Sequence, residues 1–118
     1  MPARLRTAST TEVHDALAAS PRDPEQTRLL VKHFLAVLAE RAPGASVEVR
    51  VPPYAAVQAV AGVRHTRGTP PAVVELDAET WIALAAGELA WTDAEREGRV
   101  RASGERADLS PLLPLVAS

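Results

Sequence analysis

The sequence predicts an α+β domain. Helix-opening signals, a run of alternating valines and the change of hydrophobic period between them carry that expectation. Ser9 with Glu12, Asp23 with Pro24 and Gln26, and Asp77 each set a capping side chain before an apolar stripe of helical period. Val47, Val49 and Val51 alternate instead with Glu48 and Arg50, which is the period of a strand buried on one face.

In chain order, the first helix spans residues 9 to 19. Ser9 and Glu12 form its capping box, Val13 and Leu17 share one face, and Ser20-Pro21 ends it. The second has the strongest signal. Asp23 caps it, Pro24 takes the first helical position, and Leu30, Phe34, Val37 and Leu38 repeat at i, i+4, i+7, i+8 until Pro43-Gly44. The strand from Ser46 to Val51 is broken by Pro52-Pro53. Tyr54 to Val60 carries no charge and reads as a strand buried on both faces, although alanine propensity alone would make it a helix. A turn-rich connection runs from Gly62 to Pro71, and a short apolar strand from Ala72 to Leu76. Asp77 then caps a helix through Ala86 that Gly87 stops. Thr92 and Glu95 form a second capping box, closed by Gly98, and residues 99 to 104 alternate as a strand. Leu109, Leu112, Leu113, Leu115 and Val116 crowd a tail that Pro111 and Pro114 restrict to short turns.

Length and charge bound what such a chain can do. At 118 residues, 47% apolar and without cysteine, it is expected to form one domain over residues 1–118, with 1–8 as a candidate disordered lead. A chain of this size buries roughly 65% of its unfolded surface, enough for a core without disulfide or metal staples. A net charge of −2 gives no attraction for phosphate backbones or anionic surfaces, so nucleic-acid binding is not expected. The first 20 residues hold no apolar run long enough for a signal-peptide core or a membrane span, which makes the cytoplasm the expected compartment and integral membrane association unexpected. Phe34, Tyr54, Trp81 and Trp91 are the only aromatics. Alanine, valine and leucine therefore fill the interior, and imperfect fit among small side chains leaves apolar voids.

No catalytic or metal constellation is assembled in the sequence. His14, His33 and His65 are far apart and lie in different elements, so neither a metal site nor any other cofactor is expected. Ser46, Ser103 and Ser110 lack a nucleophile-elbow setting, and Glu75, Asp77 and Glu79 make no acid/base pair because Asp77 is a helix cap. Arg64-His65-Thr66-Arg67-Gly68 concentrates polar groups. Its two guanidiniums form a candidate clamp for a carboxylate or phosphate, against the plainer reading of a solvated loop. Trp81 and Trp91 suit either a ligand pocket or core, and the leucine-rich tail must cover apolar surface or meet a partner.

The stretch from Asp77 to Leu89, with Thr92-Asp-Ala94 and Gly98-Arg-Val100-Arg-Ala-Ser-Gly104, resembles the signature region of the sterol carrier protein family. There a strand leads into a helix ending in glycine, a second short helix ends in another glycine, and a strand closed by Gly-Glu precedes an apolar terminal helix. Gly104-Glu105 and residues 109–116 match that close. The helix running into Val47-Glu-Val-Arg-Val51-Pro-Pro-Tyr54 is similar to small single-domain bacterial members, found especially in actinobacteria.

The resemblance implies about five strands in a mainly antiparallel sheet, helices packed on one face and an apolar cavity or tunnel between, with Val63 to Thr66 as a source of the fifth strand. It implies an apolar or acyl ligand such as a fatty acid or acyl-CoA and no catalytic set. Candidate cavity residues are Phe34, Val57 and Val74 from the long helix and sheet, and Trp81, Leu84 and Trp91 from the following helices. The tail adds Leu109, Leu112, Leu113 and Val116. Arg64, His65 and Arg67 are candidates for contact with an anionic part of the ligand. The chain departs from the eukaryotic carriers in having fewer large apolar residues and in ending Val116-Ala-Ser118. A second expectation stands beside the first: an interaction or regulatory module whose cavity has collapsed, with an unidentified protein partner.

Overall fold

The computed structural model describes residues 5–62, 72–104 and 107–116. The expected fifth strand at 63–66 and the Arg64, His65 and Arg67 clamp lie outside the described residues. Helices α1 (Thr10–Ala18) and α2 (Pro24–Arg41) precede strands β1 (Val47–Val51), β2 (Ala55–Ala59) and β3 (Ala72–Leu76). Helices α3 (Ala78–Ala86) and α4 (Trp91–Arg96), strand β4 (Val100–Ser103) and a 3-10 turn at Ser110–Leu112 complete the order.

Local chemistry sets the helix starts. The Ser9 hydroxyl and the Asp23 carboxylate each accept the backbone N–H three residues on, while Glu12 and Gln26 return a bond to the cap's own N–H. Asp77 accepts from Thr80 N–H at 2.7 Å. Gly87 ends α3 at φ 83°, a left-handed conformation that would strain any residue with a Cβ. Helix α4 departs from expectation: it begins at Trp91, with Ala90 and not Thr92 in the cap position and no side-chain cap. Burial of Trp91 and Ala94 fixes where this short helix starts, and a cap worth about 1 kcal/mol is overridden by a tryptophan's buried area.

The sheet has four strands among the described residues, in the order β2-β1-β3-β4. Antiparallel ladders flank a parallel centre: β1 pairs with β2 from Val47↔Ala59 to Val51↔Ala55, β3 pairs with β4 from Val73↔Ser103 to Leu76↔Val100, and β1 runs parallel to β3. The expected mainly antiparallel sheet is therefore mixed, because the connection after β2 brings the chain back to run alongside β1 in the same direction. Val47, Val49, Val51, Ala59, Ala72, Val74 and Leu76 are buried beneath the helices, whereas Arg50, Ala56, Gln58 and Arg101 on the other face are exposed. Strand β2 is accordingly covered on one face, not both.

Helix α2 is the organising element of the core. Leu30, Val31, Phe34, Leu35 and Leu38 are buried along it, and it packs against α1, α3 and β2. On the far side of α2, Ala16 is buried and Leu5, Val13 and Leu17 are half-buried. Ala8 N–H donates to His33 Nδ1 at 2.9 Å, which anchors the chain ahead of α1. Arg22 closes the end of α1 by donating to the Ala16 and Leu17 carbonyls and pairs with Glu79 of α3 at 3.3 Å.

Candidate functional site

The sequence-derived cavity residues separate into two groups. Phe34, Val74, Trp81, Leu84 and Leu109 are each no more than 1% exposed and belong to one hydrophobic core with α2. Trp81 is oriented there by its indole N–H, which donates to the Val31 carbonyl at 3.3 Å. Leu84, Trp91 and Leu113 instead line a groove of about 390 Å³ together with Gly87, Glu88, Leu89, Ala90, Thr92, Ser110 and Pro114. Leu84 belongs to both. That volume is at the small end of the roughly 300–1,000 Å³ of small-molecule sites.

Three pieces of backbone build the groove. The left-handed turn at Gly87 lets the Glu88 and Leu89 N–H groups return to the Ala83 carbonyl at 2.9 and 3.2 Å, which directs the chain into α4. The start of α4 places Trp91, 5% exposed, against the core. On the opposite wall the tail is stitched to α3, since Leu115 and Val116 N–H both donate to the Ala85 carbonyl, at 2.8 and 3.2 Å, with Leu115 buried beneath. The Trp91 Nε1 is buried and has no hydrogen-bond partner among the described residues. In a molecule whose other tryptophan N–H is bonded, this donor is an exception.

Val57 lies on β2, half-buried and paired with Val49, at the sheet edge remote from β3 and α3, so it does not join the groove. Leu112 and Val116 are half-buried on the tail without lining it. Sequence reasoning missed Leu89, Ala90 and Pro114. Their only signal was position, between the Gly87 stop and Trp91 or at the restricted tail.

Elsewhere, charged groups hold structure together. A cleft of about 440 Å³ is lined by Glu75, Asp77, Arg99 and Arg101, but Asp77 caps α3 and Arg99 Nε donates to Thr80 Oγ1 at 3.1 Å. Ser46 Oγ donates to the Val60 carbonyl at 2.6 Å. The His33 ring meets Phe34 edge-on at 5.0 Å, and its burial lowers its pKa below the ordinary 6.5 against a smaller raising influence of Glu40. Among the described residues, no three His, Cys, Asp or Glu side chains gather to hold a metal ion, and no helix is long and apolar enough to cross a membrane.

Helices layered on one face of a four-stranded mixed sheet, with the tail folded back over α3 and an apolar groove beneath it, define a small α+β domain organised around covered apolar surface. The family model described as bacterial SCP ortholog matches residues 23–115. The chain belongs to this family, a bacterial branch of the sterol carrier proteins. No curated protein gives a significant match.

Proposed function

We propose that this chain is a cytoplasmic, non-catalytic module that binds an apolar or acyl ligand, a fatty acid, acyl-CoA or similar lipid, at the groove between α3, α4 and the tail. The groove itself carries this reading: Leu89, Leu113 and Pro114 leave apolar surface beside a closed core that holds Leu84 and Trp91. Membership of a family of lipid carriers supports it. In the acyl-CoA case, Arg64 and Arg67 supply guanidiniums for the phosphates with His65 between them. A fluorescent acyl probe should bind and change Trp91 emission, and native mass spectrometry of the protein from its own host should show a co-purifying lipid. Changing Arg64 and Arg67 together to Ala should remove any preference for acyl-CoA over the free acid. Absence of both probe binding and bound lipid would overturn the proposal, and saturable ester, thioester or phosphoester turnover would overturn its non-catalytic part.

The closed packing of Phe34, Val74, Trp81 and Leu109 favours a second reading, an interaction module whose interior cavity has collapsed. Leu113→Ala, a change in the groove lining, separates the two. A carrier responds with altered probe affinity as well as lower stability, an interaction module with lower stability alone.

A further inference from the structure

One tertiary hydrogen bond of this molecule ends on a side chain that titrates near neutral pH: Ala8 N–H donates to His33 Nδ1 at 2.9 Å, across 25 residues of chain. A backbone amide only donates, so Nδ1 has to hold a lone pair. That places the ring's proton on Nε2 and keeps the imidazole neutral. A proton added at Nδ1 would set two N–H groups head to head, and the bond would be lost. Little else holds the segment it ties down, where Leu5 and Ala8 are half-buried and Arg6 and Thr7 are exposed. Helix α1 behind it has attachments of its own: a capping box, the buried Ala16 and the bonds from Arg22 to the Ala16 and Leu17 carbonyls.

We infer that His33 is a proton-operated clasp for residues 5–8: the neutral imidazole holds this lead on α2, and the imidazolium releases it while α1 and α2 stay folded. The surroundings favour the closed form at neutral pH. Burial lowers the His33 pKa, and Glu40 on the same helix opposes it with a smaller raising influence. From the elements packed on α2, Glu12 is bonded back to Ser9 N–H, His14 and Asp15 are exposed, Glu79 is paired with Arg22, and β2 carries no titratable group. Arg6 of the lead and Lys32 of α2 are cations and do not stabilise an imidazolium. The released ring, back in water with its ordinary pKa, binds the proton more tightly, so acid drives release.

The test is an NMR titration of the ¹⁵N-labelled full chain from pH 7.5 to pH 5. At pH 7.5 the His33 ring should be the Nε2–H tautomer, and residues 5–8 should show the heteronuclear NOE of ordered backbone. His33 should titrate with a midpoint below 6.5, and the NOE of residues 5–8 should collapse at that same midpoint while the amides of α1 and α2 keep theirs. These readouts need no variant. His33→Asn offers an acceptor near the Nδ1 position with no proton to gain, and should keep the lead ordered over the whole range; His33→Phe, with no acceptor, should leave it loose at every pH. A neutral His33 in the Nδ1–H tautomer would overturn the inference. So would a lead that is already loose at pH 7.5, that stays ordered through the His33 titration, or that loosens only together with α2.

Discussion

Leu115→Ala removes a buried anchor near the end of the tail without touching the groove lining. Leu115 is 2% exposed, and the hydrogen bond from its N–H to the Ala85 carbonyl survives in alanine, so the change isolates side-chain burial. Leucine-to-alanine changes in cores cost about 2–5 kcal/mol, and a terminal segment can relax into part of the vacated space, which sets the expectation at about 2–3 kcal/mol. Against a total stability of about 5–15 kcal/mol the variant should remain folded. For a chain of this length each kcal/mol lowers Tm by roughly 3–6 °C, so the Tm followed by circular dichroism should fall by about 6–18 °C. Hydrogen exchange adds the local view: in the wild type the amides of Leu115 and Val116 should be protected, and in Leu115→Ala their protection should drop before that of α2. A Tm change of less than about 2 °C, or wild-type tail amides exchanging as fast as an unfolded peptide, would refute the docking of the tail as a stabilising contact.

Deleting residues 109–118 removes Leu109 as well as Leu115 and should cost about twice as much, producing aggregation or a collapsed Tm in the same assay. Gly87→Ala places a Cβ at φ 83° with Pro114 3.4 Å away, so stability should fall by about 1–2 kcal/mol in urea titration, and acyl-probe affinity should fall with it as the groove's corner shifts. His33 has a lowered pKa in the folded state, so the unfolded chain binds its proton more readily. The contribution of this residue is thus fully present above pH 6.5 and is lost as pH falls through the folded pKa, together with the bond from Ala8 N–H. Urea unfolding between pH 5 and 7.5 should show that rise with pH in the wild type and a flatter profile in His33→Gln.

Helix starts were readable in the sequence where side chain and backbone meet within three residues. Ser9, Asp23 and Asp77 cap as their spacing indicates, and the valines of β1 face inward as their alternation indicates. The Thr92 box was not used, because an exposed cap is a weak local preference and the burial of Trp91 is a tertiary one. Strand direction was equally hidden: nothing within residues 47–51 or 72–76 encodes that they run parallel, since that depends on the path between them. Trp91, Leu84 and Leu113, singled out by apolar identity, line the groove, but that identity could not separate them from Phe34 or Val74, which are as apolar and wholly enclosed. Which side of a packed layer a leucine faces is decided by the layer, not by the leucine.

The family match opens at Asp23, the residue that caps α2. Helix α2 therefore carries its own ignition: Asp23, Pro24 and Gln26 complete its first turn without drawing on anything upstream. Helix α1 lies outside the matched stretch and is tied across that seam in both directions, by His33 accepting from Ala8 N–H and by Arg22, itself ahead of the seam, reaching Glu79 of α3. The seam thus separates the matched stretch from a segment joined to it by these polar ties and by apolar packing. Whatever stands ahead of Asp23 has therefore to cover the apolar surface now met by Leu5, Val13 and Ala16.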